Sequence, residues 1–260
     1  MKLALIQTAA LARRAVVGTL RTPQALVPSL FFPLVLMAIF TGSFGNAPGT
    51  IPGFPPVRGF LDFALAGAVL QGVLIGGTSA GSAFALDIEG GFFDRLVASP
   101  VARTAILVGR LVGGAVVALL QTLLFVTIGV IFGVRIQGGV GGLALLLLFA
   151  ALLAVAISGL GIVLALRTGS AEAVQGTFPL FFALLFFSSA FFPRETMTGW
   201  FKVVADANPI SYLVEAMRDQ VVSGVELRPT LIGLGVVIGM ATAAVAGSYA
   251  AFRGRLASTL

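Results

Sequence analysis

The chain contains no cysteine and no histidine. Disulfides, Cys/His zinc sites and imidazole acid–base chemistry are therefore excluded, and no metal site is expected. Its two lysines, Lys2 and Lys202, do not follow glycines. A phosphate-cradling loop needs Gly-Lys followed by Ser or Thr. The chain is therefore expected to bind no nucleotide itself and not to be an enzyme. Charged residues make up 10 % of it, against about a quarter in a soluble domain. No basic patch interleaved with aromatics exists. The net charge of +6 then reads as loops held against a membrane, not as nucleic-acid binding.

What the chain does have is apolar length. Hydrophobic residues reach 58 % and mean hydropathy is +1.07. A helix needs about twenty apolar residues to cross the hydrocarbon core. Six such runs are predicted, at 23–43, 61–86, 107–133, 140–166, 173–192 and 230–252. The fold class is all-α integral membrane, a single transmembrane domain over 1–260. Residues 1–22 are expected to form an interfacial helix, since Lys2, Arg13, Arg14 and Arg21 fall within roughly 120° of a helical wheel. The apolar run after Arg21 is too long for a signal-peptide core.

Basic residues orient the spans. Lys2, Arg13, Arg14, Arg21, Arg95, Arg103, Arg110, Arg167, Arg253 and Arg255 share one side. Arg58, Arg135, Arg194, Lys202, Arg218 and Arg228 share the other. The richer side is expected to be cytoplasmic and to carry both termini, in a bacterial inner membrane.

No charged residue sits near the middle of a span, which argues against a proton-coupled carrier with a carboxylate relay. Gln71 and Gln121, the polar residues nearest the centres of spans two and three, read first as interhelical hydrogen-bond donors. Gly72 with Gly76, Gly77 with Gly81, Gly109 with Gly113 and Gly129 with Gly133 have the spacing of close helix packing. Span five is crowded with phenylalanine. Phe178, Phe182 and Phe186, with Phe31, Phe32 and Gln71, are candidates for an apolar substrate path; lipid-facing rings are the plainer reading.

Two polar segments interrupt the apolar walls. In 87–105, Phe92, Phe93, Leu96 and Val97 fill one arc of a short helix, while Asp94 and Arg95 point away. Either a loop lying on the membrane or a helix docking in a partner's groove fits that pattern. In 193–229, Trp200 suits a membrane interface. Asn208 is predicted to cap a helix that Pro209 opens. Ile210, Leu213, Val214, Met217 and Val221 line one face of it, with Glu215, Arg218 and Asp219 opposite. This outer segment is expected to dip partly into the membrane and return.

The order of parts resembles the membrane subunit of a type-2 ATP-binding-cassette (ABC) exporter, the daunorubicin/doxorubicin-resistance-like permeases. "FLDFALAG" (60–67), "GGFFDRLVASPVARTAILVGRLV" (90–112) and "FFSSAFFPRETMTGWFKVVADANPISYLVEAMRD" (186–219) carry the likeness. Ala66 and Thr198 stand where prolines are common in that family. The resemblance implies a coupling helix in the link between spans two and three, seated in an ATPase subunit. Glu89, Phe92, Phe93, Asp94, Arg95, Leu96, Ser99, Pro100 and Arg103 are its matching residues, with the apolar rings expected to dock. It also implies a second membrane subunit, identical or related, pairing across spans one and five, with ATP and Mg on the partner ATPase. The two faces of the outer segment suggest, separately, a partly inserted lid over the exit path, with Trp200, Asn208, Pro209, Glu215 and Arg218 as its residues. The implied cargo is amphipathic, drug-like or lipid-like. A glycolipid or polysaccharide precursor, a non-ABC secondary carrier and a membrane scaffold are the alternatives.

The asymmetry of charge makes a direct prediction. A cysteine introduced at Ala98 is expected to be shielded from an impermeant thiol reagent in intact cells, and one at Thr50 or Gly199 to react. Labelling of Ala98 from outside would invert the orientation.

Overall fold

A computed structural model describes Lys2–Ser258 apart from Gly53 and Pro56; residues 1, 259 and 260 of the predicted domain lie outside it. The described residues form helices and no strands. In order these are α1 (Lys2–Leu20), α2 (Pro23–Phe44), a short distorted α3 (Ala47–Thr50), α4 (Phe60–Glu89), α5 (Phe92–Ala98) and α6 (Arg103–Ile131). Then come α7 (Gly139–Thr168), α8 (Ala171–Gln175), α9 (Phe178–Phe186), α10 (Gly199–Ala207), α11 (Pro209–Val222) and α12 (Leu227–Ser258).

Six helices are long and apolar enough to cross a membrane: α1, α2 run on through α3, α4, α6, α7 and α12. The number six agrees with the sequence reading, but the membership differs. α1, expected at the interface, meets the same length and composition test as the spans. The predicted fifth span does not form one helix. It divides at Gly176 and Thr177 into α8 and α9, together 16 residues from Ala171 to Phe186. Pro179 starts the second piece and has no N–H to continue the first. At 1.5 Å per residue the pair reaches about 24 Å, short of the ~30 Å hydrocarbon core.

α4 is the central element. It packs against α2, α6, α7, α8 and α11 and is buried along most of its length. Small residues make this enclosure possible. A Cβ on Gly81 would lie 2.7 Å from the Cα of Gly161 in α7, and one on Gly77 would lie 2.8 Å from the Ile157 side chain. On another face, Gly72 receives the Gln121 and Phe125 side chains of α6. Gly109 and Gly113 give α6 a second close contact, with Leu11, Ala12 and Ala15 of α1. Gly133, grouped with these by spacing, has a different role. Its φ of +101° makes the turn after α6.

α2 carries two internal prolines, Pro28 and Pro33. Pro33 has no N–H, so the carbonyl of Ser29, four residues earlier, has no donor from that position of the helix ladder. The Gln121 amide of α6 donates to that carbonyl. The interhelical donor role expected of Gln121 is thus filled, and its partner is the oxygen that proline releases. Gln71 makes no such bond through its amide nitrogen.

Substituting a glycine tests the close approach. Gly81→Ala places its methyl against backbone, which cannot rotate away, and is expected to cost about 1–3 kcal/mol. Gly235→Ala on α12 meets open space and should cost nothing. Thermal unfolding in detergent compares the two; equal melting temperatures would remove the α4–α7 contact as a stability determinant.

Candidate functional site

The residues singled out by sequence fall at opposite ends of the bundle. At one end, Gly91 adopts φ +67° and turns the chain from α4 into α5. α5 then lies against a local core that draws Phe84, Phe93, Ile106, Leu107, Leu166, Val174 and Phe252 from α4 to α8 and α12. The Phe93 ring is 2 % exposed. It packs edge-on to Phe84 at 5.6 Å and to Phe252 at 5.7 Å between centroids. The expectation that both rings dock in a partner is corrected here: Phe93 is already buried within its own chain. Phe92 is half-buried beneath the Arg14 guanidinium, 3.8 Å from its ring centroid. Leu96 and Ser99 are also half-buried, and the Ser99 hydroxyl donates to the Leu96 carbonyl at 2.8 Å. Asp94, Arg95, Ala98, Pro100 and Arg103 remain exposed. The outward surface is therefore charged.

Contacts from other helices hold this segment. The Gln7 amide of α1 donates to the Pro100 carbonyl at 3.2 Å, and its oxygen accepts from the Ala102 N–H at 3.0 Å. Arg14 donates to both carboxylate oxygens of Asp87, at 3.0 and 2.8 Å. Arg110 joins Asp87 from α6 at 3.5 Å. The half-exposed Arg14–Asp87 pair is worth about 1 kcal/mol or less; its bidentate geometry ties α1, which packs along α6, to the end of α4. Glu89 reaches the other way. Its carboxylate accepts from the Ala171 N–H at 2.7 Å and caps the start of α8.

At the opposite end, Asn208 joins three segments. Its side-chain oxygen accepts from the Ile210 N–H at 2.9 Å, the predicted cap ahead of Pro209. Its nitrogen donates to Leu184 and Phe187 carbonyls, at 2.6 and 3.0 Å, and so closes the end of α9. Arg218 corrects the expected division of α11 into an apolar and a charged face, because it is only 4 % exposed. Its guanidinium donates to the Phe63 carbonyl at 3.2 Å and to the Ser189 and Ala190 carbonyls at 2.7 and 3.2 Å. It also sits 3.5 Å over the Phe63 ring. Burial lowers its pKa to about 10, so it stays charged at neutral pH. Glu215 instead pairs with Arg194, which also approaches Asp206 at 3.5 Å. Trp200 is 68 % exposed, as an interface ring would be.

The candidate path residues are partly brought together. Phe32 meets Phe182 at 5.7 Å, and Phe178, Phe182, Phe186 and Phe191 follow one another at 4.8–5.5 Å. Phe191 reaches Phe40 of α2 at 4.9 Å. Phe31 is apart from this row, 66 % exposed. Gln71 lines a crevice of about 20 Å³ between α2 and α4, beside Phe40 and Phe191.

Comparison with known proteins places this architecture. The family description "ABC-2 type transporter" matches residues 6–221. The chain belongs to the ABC-2 type transporter family. A daunorubicin resistance ABC transporter permease protein of Streptomyces coeruleorubidus is 32 % identical, over 79 % of this chain and 71 % of its own length. A putative transport permease of Cyanophora paradoxa is 27 % identical over 80 % and 71 %. A probable doxorubicin resistance ABC transporter permease protein of Mycobacterium tuberculosis is 29 % identical over 62 % and 60 %. The chain is accordingly a membrane permease subunit of an ABC-2 type transporter, a family that lacks a nucleotide-binding domain and relies on a partner ATPase, where ATP is hydrolysed.

In this ABC-2 permease, sequence reading missed Gln7, Asp87, Phe252 and Arg255 at the α5 end. Asp87 is the only one with a local signal, an acid closing a long apolar run. Gln7, Arg255 and Phe252 meet Pro100, Leu166 and Phe93, which lie 93, 89 and 159 residues away in sequence, beyond any helical period. Among the described residues no cluster of acids could hold a metal.

Asn208 offers a two-part test. Asn208→Asp keeps the acceptor for Ile210 and loses both donations to α9; Asn208→Ala loses all three bonds. The cap is worth about 0.5–2 kcal/mol, and the aspartate sets a buried carboxylate oxygen against both carbonyls, so both variants should be less stable than the wild type. Both should loosen the 187–208 segment, seen as faster amide exchange there. Unchanged exchange in both would remove Asn208 as the link between α9 and α11.

Proposed function

We propose that the chain is the membrane half of an ATP-driven bacterial exporter, moving an amphipathic drug-like or lipid-like molecule out of the cytoplasm. The observation that carries this reading is the division of α5. Its apolar face is anchored in the permease, and its charged face is left outward. A loop resting on a membrane would turn its greasy side outward instead. Asp94, Arg95, Pro100 and Arg103 would meet the ATPase, with Glu89, Phe92, Phe93, Leu96 and Ser99 positioning them. ATP and Mg bind on that ATPase. ATP drives the cycle because the ATPase pair binds it with different affinity in the two states. Movement of α5 then reaches α4, the helix that touches most of the bundle.

Both termini and α5 would face the cytoplasm of a bacterial inner membrane, with α10 and α11 at the outer side as a lid. A second membrane subunit, identical or related, would pair across α2 and the α8–α9 segment. Val27, Phe31 and Ile39 of α2, with Leu180 of α9, are exposed apolar groups suited to such a face. The phenylalanine row supplies ring faces without hydroxyl or indole hydrogen bonds. That favours an amphipathic aromatic or acyl cargo over a sugar-bearing precursor. The names of the two resistance permeases above agree with that class.

The test is co-purification with the ATPase. The chain alone should not hydrolyse ATP; the assembled complex should. Reversing both outward charges, Asp94→Lys with Arg95→Glu, should weaken association about tenfold, equivalent to about 1.4 kcal/mol, and leave the permease folded. Phe93→Ala should instead lower the melting temperature of the permease alone, since a buried ring truncated to Ala costs about 3–5 kcal/mol. Wild-type association by the charge-reversed protein would sink the docking assignment.

A further inference from the structure

Phe93 does not rest on α4 alone. Its ring lies between Phe84 of α4 and Phe252 of α12, edge-on to both, with interplanar angles of 79° and 82°. Phe252 itself is 2 % exposed. One turn further along α12, the Arg255 guanidinium lies 5.8 Å from the same ring. It also donates to the Leu166 carbonyl at the end of α7, at 3.0 Å. α4, α5 and the last turns of α12 thus share one buried ring, and Arg255 ties the end of α7 to those same turns.

This geometry constrains how α5 can move. A buried edge-on pair cannot slide without losing its packing, because interiors are close-packed and switch between discrete arrangements. A displacement of α5 therefore carries Phe93 against Phe252 and pushes α12 along with α4. α12 packs along α7 and against α11, so it leads from the α5 end to the lid end. Glu89 offers a second tie, to α8, but through one hydrogen bond at a helix start.

We propose that Phe252 and Arg255 of α12 are positioning residues that pass movement of α5 to the lid end of the bundle. The proposal rests on the exporter reading, and its experiment separates the two. Spin labels at Ile131 and Val203, both exposed at the lid end, report that end in the assembled permease–ATPase complex. In the wild type, ATP should shift the distance between them. In Phe252→Ala, co-purification and basal ATPase rate should stay within twofold of wild type while the shift is lost. Phe252→Leu, which keeps most of the apolar volume, should restore at least half of it. A merely structural residue would lower yield and rate together and would not separate them. A full ATP-dependent shift in Phe252→Ala overturns the proposal. Should that variant fail to assemble, Arg255→Gln is read instead, and a full shift in it overturns the proposal equally. If the wild-type permease binds no ATPase at all, the exporter reading falls first and this proposal falls with it.

Discussion

The backbones of α4 and α7 meet at Gly81 and Gly161, and the remaining packing depends on that contact. With no side chain between them, the two helices approach closely enough for α4 to be surrounded. A helix so enclosed can receive α2, α6, α8 and α11 on its other faces. In a membrane the lipid is as apolar as leucine, so helices associate through fit instead of exclusion from water. Small residues at Gly72, Gly77 and Gly81 supply that fit on successive faces of one helix. The same device at Gly109 and Gly113 seats α1 on α6.

Close packing leaves polar groups with few partners, and the chain meets this with side chains aimed at released carbonyls. Gln121 takes the Ser29 oxygen that Pro33 frees. Asn208 closes α9 while it opens α11. Arg218 gathers three carbonyls from α4 and the segment after α9. An unpaired buried guanidinium would be strongly destabilising; here carbonyl dipoles and the Phe63 ring hold it. Arg218 ties the segment after the broken fifth span to the central helix, and Asn208 ties α9 to α11, where regular secondary structure has stopped supplying hydrogen bonds.

The two ends differ in what they leave open. At the α5 end, the polar ties from Gln7, Arg14 and Glu89 fix a short helix whose outer face stays charged. At the other end, the apolar and exposed groups of α10, Trp200 and Val203, lie outward. One end is suited to a protein partner with charges of both signs, the other to a membrane interface.

Sequence by itself determined the class of the protein and most of its long helices, because a run of apolar residues has only one stable form in lipid. It also located α5, the cap at Asn208, and the packing glycines at Gly77 and Gly81. These signals are local: a period, a spacing or a helix start. Tertiary structure alone decided which face of α5 turns inward, since an amphipathic arc does not say whether its apolar side meets its own chain or another. It likewise decided that Arg218 is buried, since its carbonyl partners lie 28–155 residues away. The meeting of Phe93 with Phe252 belongs to the same group. Each depends on neighbours that only the folded chain brings within reach.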